Sequence, residues 1–382
     1  MVARRPDNPF VFGSIIHQHG FVNRVRELDE LIRDLEDCEK VFLLSPRRFG
    51  KSSLVALALL HLQKRSVKTV NITVSSFADY GKFLEKFAEE TLKQAGTLDR
   101  VKNLAKRFWS HVQPEVSVKM DTGEWSLSFG QGPSTDPAPL APEVFALPGE
   151  LTKSGEFKMA ICLDEFQHIA EFDSGSVEAA IRNEVQKQPN VGYVFAGSQP
   201  SLMKAMLKPK RPFYKAGPQM LLKKISADDW REFILRQFTK RQRSLHAEAL
   251  DFLFEATNLI PFDVQRVAHE LWDEAELRDI QQIRKEHIEA VVNLLVAKQE
   301  TYFESQWQSL TNSQRGLLLT VAKQGSGKLL SADVRTRWRL GSASTVQRAL
   351  EALQAKDILD FYEKHYFFLD PLFGRWVANL QG

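Results

Sequence analysis

The hydrophobic pattern of this chain changes period several times, and each change marks an element. Val41-Phe42-Leu43-Leu44 is a short unbroken apolar run, as a strand covered on both faces requires. Nine residues follow, all polar or small except Phe49, and then Leu54 to Leu60 is apolar throughout, as in a buried helix. Val67–Val74 reads as a second strand, and Met159–Leu163 and Val191–Ala196 as further strands of the buried kind. Between them lie helical patterns over 83–93, 101–108 and 176–188. Val25, Leu28, Leu31, Ile32 and Leu35 form one helical stripe, for which Asn23 is the expected cap. Residues 115–129 alternate about Asp121-Thr-Gly-Glu124, a hairpin signature, and the Pro-rich stretch 130–142 reads as a loop. Strands alternating with helices predict an α/β domain with a parallel sheet.

From Ser226 the pattern becomes helical. Stretches 227–237, 247–256, 262–276 and 285–303 are amphipathic, with Pro261 opening the third at a position that needs no N–H. The tail reads as three helices, over 312–323, from Ser331 to Arg339 and from Ser342 to Lys356, followed by two strands between Asp357 and Leu369. That is the plan of a winged helix-turn-helix. The predicted division is therefore 1–225 for an N-terminal arm plus the sheet-bearing core, 226–305 for a helical lid and 306–382 for the winged helix.

The candidate chemistry lies where strands end. After the first strand stands Ser45-Pro46-Arg47-Arg48-Phe49-Gly50-Lys51-Ser52-Ser53, a phosphate-loop pattern GxxxxGK[ST] whose first glycine is replaced by Ser45. Backbone N–H groups of such a loop and the start of the following helix converge on an anion. Gly50 lets the backbone approach it, Lys51 reaches the β and γ oxygens, and the Ser52 hydroxyl holds Mg²⁺. Met159–Leu163 delivers Asp164 and Glu165 at its C-terminal end. Asp164 is the candidate for the Mg²⁺ shell, and Glu165 for orienting or deprotonating a water. Ser198 and Gln199, after the neighbouring strand, are either a γ-phosphate sensor or an ordinary strand terminus. Arg211, in the basic loop 208–215, is a candidate trans-acting arginine, with Arg182 second and Arg266 a candidate lid sensor; a solvated charge is the alternative for each.

Composition narrows the class. With 382 residues, two or three domains are expected; 43% hydrophobic and 26% charged residues are globular proportions. No apolar run approaches the length of a membrane span, and the first ten residues lack the apolar core of a signal peptide, so the expected location is the cytoplasm, away from membranes. Two cysteines supply neither a disulfide framework nor metal-ligand spacing. The net charge is only +3, but ten Lys and Arg against six Asp and Glu from 306 onward put +4 on the winged helix and −1 on the remainder. Arg335, Arg337 and Arg339 are positioned for phosphates, whereas the candidate recognition helix 343–355 offers only Ser344, Thr345, Gln347 and Arg348 and carries Glu351.

The segments FVNRVREL (21–28), LLSPRRFGKSSL (43–54), ICLDEFQHI (161–169), VGYVFAGSQPSLM (191–203), RPFYKAG (211–217) and IPFDVQRVAHELW (260–272) resemble, in order and spacing, the archaeal-type ATPase family of the STAND P-loop NTPases, within the AAA+/ASCE group of the origin-recognition ATPases. The resemblance implies an α/β P-loop NTPase core of ASCE type, an α-helical lid and a C-terminal winged helix-turn-helix domain. It implies ATP and Mg²⁺ as ligands, with Lys51, Ser52, Asp164 and Glu165 in the roles above and Arg24 near the nucleotide. A nucleotide switch of this kind would act on double-stranded DNA through 306–382, or on a protein partner or a second copy of the chain.

Overall fold

The computed structural model describes residues 8–14, 22–96, 114–118, 125–129, 138–172, 176–362 and 364–380. The predicted helix over 101–108 and the turn 121–124 fall outside these residues. The chain divides into two compact units, one comprising 24–45 and 51–222, the other 1–23, 46–50 and 223–382.

The first unit is built on a five-stranded parallel sheet. Its strands are β1 (Lys40–Leu44), β2 (Lys68–Thr73), β5 (Met159–Asp164), β6 (Val191–Gly197) and β7 (Gln219–Leu221), in the order β2-β5-β6-β1-β7. Every residue of β6 is buried, and so are the first five of β5, which is why these segments read as continuous apolar runs rather than alternations. Helices α1 (Val25–Glu36), α2 (Lys51–Lys64), α3 (Tyr80–Lys93), α4 (Ala141–Thr152), α5 (Ser176–Val185) and α6 (Pro200–Met206) belong to this unit. The predicted hairpin is present as β3 (Pro114–Val118) against β4 (Trp125–Phe129). Stacked and edge-on aromatics, Phe42, Phe166, Phe195 and Phe213 among them, fill the core. Gly217 lets β7 join the sheet, since a Cβ there would lie 1.9 Å from the Lys40 carbonyl oxygen.

Three local expectations are corrected. Arg24, not Asn23, takes the N-cap position of α1 and makes no side-chain cap, and Val25 is 62% exposed while Leu31, Ile32 and Leu35 carry the buried stripe. The loop expected over 130–142 ends earlier. Helix α4 begins at Ala141, with Pro142 in the first turn, where a missing N–H costs nothing.

The second unit is helical. It contains α7 (Ala227–Thr239), α8 (Ala247–Thr257), α9 (Pro261–Leu277), α10 (Lys285–Lys298), α11 (Glu300–Gln308), α12 (Asn312–Gln324), α13 (Ala332–Arg337), α14 (Ala343–Ala355) and α15 (Pro371–Asn379). A two-residue parallel ladder pairs β8 (Ser244–Leu245) with β9 (Gln282–Ile283), and β10 (Leu359–Tyr362) pairs antiparallel with β11 (His365–Phe368). The helix expected over 285–303 is two, interrupted at Gln299. Ser331 and Ser342 open tail helices as read, and Thr311 opens α12; each accepts from a backbone N–H of the first turn. Phe10 from the N-terminal arm is fully buried among Phe233, Phe238 and Trp272.

Residues 46–50 also belong to this unit, held by their side chains. Arg47 pairs with Asp357 at 2.9 Å. The Arg48 guanidinium lies 3.3 Å from Asp370, 3.9 Å from Asp263 and 5.0 Å over the Phe262 ring. Phe49 is fully buried against Tyr362 and Phe367. Asp263 on α9 has no exposed surface, and neither carboxyl oxygen finds a hydrogen bond among the described residues. Burial, then the neighbouring Asp370, push its carboxyl up to about 8, against the pull of Arg48 and Arg266.

A carboxyl raised in the native state keeps a proton that the unfolded chain releases near pH 4. Stability attributable to Asp263 is therefore present below about pH 4 and is lost as pH rises through about 8. Asp263→Asn removes that penalty. Its thermal midpoint at pH 8 is expected to exceed that of the parent chain, with a flatter midpoint-against-pH slope across the window. A variant that tracks the parent at every pH contradicts this.

Candidate functional site

The site of the sheet-bearing unit forms at the C-terminal ends of β1, β5 and β6, where ligands bind in open parallel sheets. Ser45 follows β1, is fully buried, and donates its N–H to the Gly197 carbonyl at 3.1 Å. The left-handed backbone of the phosphate-loop sequence falls at Arg48 (φ 67°) and Gly50 (φ 88°), not at Ser45, so the local backbone does not require glycine there.

Lys51, the first residue of α2, is 5% exposed and is therefore held by what surrounds it. Its Nζ donates to Asp164 Oδ1 and lies 3.2 Å from Glu165 Oε1. A buried ammonium between two carboxylates is the compensation such a charge requires. The Ser52 hydroxyl is 3.3 Å from Asp164 Oδ2, the other oxygen of the same carboxylate. Ser52 Oγ and the carboxylate oxygens are the hard oxygen donors that Mg²⁺ prefers, so the residues present fit that ion, with Ser52 and Asp164 to hold it.

Glu165 stands in the left-handed region (φ 53°) between β5 and the turn that follows. That bend turns its carboxylate back toward Lys51 and the end of β6. Ser198 Oγ donates to Glu165 Oε2 at 2.5 Å, and Gln167 Nε2 donates to the same oxygen at 2.6 Å. Gln167 also reaches Ser198 Oγ at 3.4 Å and is 4% exposed. Burial alone would raise the Glu165 carboxyl. The Lys51 ammonium, together with the bonds from Ser198 and Gln167, outweighs it and holds the group below the usual carboxylate range. The outcome is an ionised carboxylate, fixed in direction, with Oε1 toward Lys51.

The structure thus brings together Lys51, Ser52, Asp164, Glu165 and Ser198. Gln199, the other sensor candidate, is the N-cap of α6 and makes no side-chain cap bond there. Ser53 is buried in the first turn of α2. Arg24 is 3% exposed and pairs with Glu27 at 3.1 Å. Arg211 is ion-paired with Glu178, a carboxylate with no exposed side-chain surface. Arg182 lies in the last turn of α5, and Arg266 lies on α9 near Asp263. The side chains of Arg47, Arg48 and Phe49 are committed to the helical unit, as described above.

Sequence reading missed Gln167. Its signals were its place in the segment ICLDEFQHI, which carries the resemblance, and its position two residues after Glu165, where the left-handed turn folds an amide back onto the carboxylate. Cys162, in the middle of β5, is fully buried with its thiol pushed up to about 12 by burial, which removes it as a nucleophile.

Residues 301–379 match a family model described as a probable winged helix domain. Among curated proteins none matches the chain. Among solved structures the chain is similar to the Walker-type ATPase of Pyrococcus abyssi, at 17% identity and TM-score 0.62, over 94% of this chain and 97% of that one. It is also similar to the Aeropyrum pernix ORC2 protein in ADPNP–ADP complexes, at 12% identity and TM-score 0.55, over 98% and 96%. The Aeropyrum pernix ORC1 protein in complex with DNA aligns at 13% identity and TM-score 0.49, over 94% and 92%. At these identities the likeness is one of fold. The chain has the P-loop ATPase fold, with a winged helix domain at its C-terminal end.

If Ser198 and Gln167 hold Glu165 ionised, removing either raises its pKa. Ser198→Ala and Gln167→Ala are expected to move the acidic limb of nucleotide turnover to higher pH, with nucleotide affinity within about threefold of the parent. A limb that stays in place in both variants shows that these bonds do not tune the carboxylate.

Proposed function

We propose that this chain is a Mg²⁺-dependent ATP-binding and ATP-hydrolysing switch, whose nucleotide state is coupled to the winged helix. The observation that carries the reading is the Glu165 carboxylate beside Lys51, held by hydrogen bonds from Ser198 and Gln167. Lys51 binds the β and γ oxygens of ATP, exchanging carboxylate partners for phosphate. Ser52 and Asp164 hold Mg²⁺, which when bound neutralises charge on those oxygens. Glu165 orients the attacking water and accepts its proton, and Ser198 stands beside it as the γ-phosphate sensor. Arg24 acts from the start of α1. Arg211 acts in trans only by leaving Glu178. The STAND assignment rests on the six sequence segments alone.

Under this reading Lys51→Ala loses nucleotide binding. Glu165→Gln retains ATP and loses turnover by about 10²–10⁴-fold, the usual contribution of a positioned base. Turnover by Glu165→Gln at the parent rate contradicts the assignment.

For the winged helix, contact with double-stranded DNA through 306–382 is the first reading, supported by the +4 charge of that segment. A specific observation favours a second, in which the domain docks on a protein partner and the nucleotide controls assembly. On α14, Glu351 accepts from Gln347, and Arg335 before it is spent on the carbonyls of Leu330 and Gly341. ATPase rate measured with and without duplex DNA at two salt concentrations separates them: stimulation that fades with salt supports DNA, and a rate indifferent to DNA supports the protein partner.

A further inference from the structure

The charge of this chain is unevenly placed. Between Val185 and Ala227 there is no Asp or Glu, against eight Lys and Arg. The rest of the chain then carries 43 basic and 48 acidic residues, so a nearly neutral protein concentrates +8 in one stretch. Most of it lies in the sheet-bearing unit, on α6 and the loop that leads to β7.

That loop is a built surface. Phe213 is 1% exposed, with its ring 5.6 Å from Phe42, 5.4 Å from Phe166 and 5.3 Å from Phe195. Arg211 is ion-paired to the buried Glu178. Between these anchors the backbone turns three times, Arg211 N–H to Lys208, Tyr214 N–H to Arg211 and Ala216 N–H to Phe213, each at 3.1 Å. What the pinned loop displays is Lys208, Lys210, Lys215 and a Tyr214 ring 43% exposed, with Lys204 and Leu202 exposed on α6. Elsewhere on this unit, Lys82, Lys86, Lys93, Lys153 and Lys187 each pair with a glutamate. Lys204, Lys208, Lys210 and Lys215 pair with no carboxylate among the described residues; Lys215 instead sits 5.4 Å over the Tyr214 ring.

Four ammonium groups without a carboxylate partner, three on the anchored loop and Lys204 on α6, form an anion surface, and its composition discriminates among anions. Protein interfaces are depleted of lysine. A membrane-surface element needs a continuous apolar face, and here only Leu202 and Tyr214 are exposed. Closely spaced lysines beside a half-exposed aromatic ring suit a phosphate backbone, with the ring against a sugar or an unstacked base. We propose that the Lys204–Lys215 surface binds a nucleic-acid strand by its phosphates, with Tyr214 as the ring contact. This site is separate from the winged helix, whose own arginines are partly committed.

The test is anisotropy of a labelled single-stranded DNA oligonucleotide, titrated with the full chain between about 50 and 200 mM salt. Lys204→Glu with Lys208→Glu, at positions of ordinary backbone, is expected to weaken binding at least about tenfold. Loss of two phosphate contacts should also make the log-affinity against log-salt slope shallower by about 1.4 on a single strand. Tyr214→Ala weakens binding with the slope unchanged, a split that loss of fold would not produce. Thermal midpoint and ATP affinity stay at parent values. A parallel Arg337→Glu, Arg348→Glu variant reads the winged helix. If that variant loses the oligonucleotide while the lysine variant keeps affinity and slope, this proposal is overturned and the winged-helix reading stands. Loss in the lysine variant alone supports the proposal and removes the winged helix as the nucleic-acid contact. Absence of oligonucleotide binding by the parent at the lowest salt also overturns it.

Discussion

The compensation of one buried ammonium organises the candidate site. Lys51 emerges at the start of α2 with almost no exposed surface, and a charge so placed is tolerated only with opposite charge and hydrogen bonds around it. Asp164 and Glu165 supply the charge because β5 ends beside β1's continuation, with β6 between the two strands in the sheet. Satisfying Lys51 leaves oxygens of both carboxylates to be held elsewhere, by Ser52 on one and by Ser198 and Gln167 on the other. An arrangement that gains stability from Lys51 between carboxylates is also one from which the lysine can be drawn by a polyphosphate, since both partners present oxygens to the same donor.

Buried charge is handled differently in the helical unit. Asp263 is taken out of water beside Asp370, and the Arg48 guanidinium lies closer to the second than to the first. Burial therefore dominates at Asp263 and favours the neutral acid, whereas at Glu165 the local charge and bonds dominate and favour the ion. The segment between these behaviours, residues 46–50, fixes its side chains on carboxylates and aromatics of the helical unit. A phosphate loop works through backbone N–H groups, so side chains committed in this way leave its chemistry available.

Much of this was legible in the sequence because the signals are local. An apolar run, a Gly-Lys-Ser and a further apolar run name a strand, a loop and a helix without reference to the rest of the chain, and β1 and α2 fall there. The same holds for β5 with its terminal acids and for the serine-capped tail helices. What was missed depends on partners distant in sequence. Strand β7 is three residues long and exists by pairing with β1, an approach permitted by Gly217 against Lys40. Helix α4, which the sequence reading left unassigned, carries Pro148 in its interior, a residue that disfavours helix. Helix α15 did carry a readable start, Asp370 capping Leu372 and Phe373 with Pro371 at the first helical position, but the sequence reading assigned no element after the hairpin. Gln167 shows the limit most plainly, since its role depends on a single left-handed residue at Glu165 that no periodicity records.

The central claim is that Glu165 in this setting makes the site hydrolytic and not merely nucleotide-binding. The measurement that tests it most directly is single-turnover release of γ-phosphate from ATP pre-bound to the unmodified chain in the presence of Mg²⁺. The account predicts that bound ATP is converted to ADP and phosphate in a single exponential phase. ATP that stays bound and intact over the same interval would contradict it.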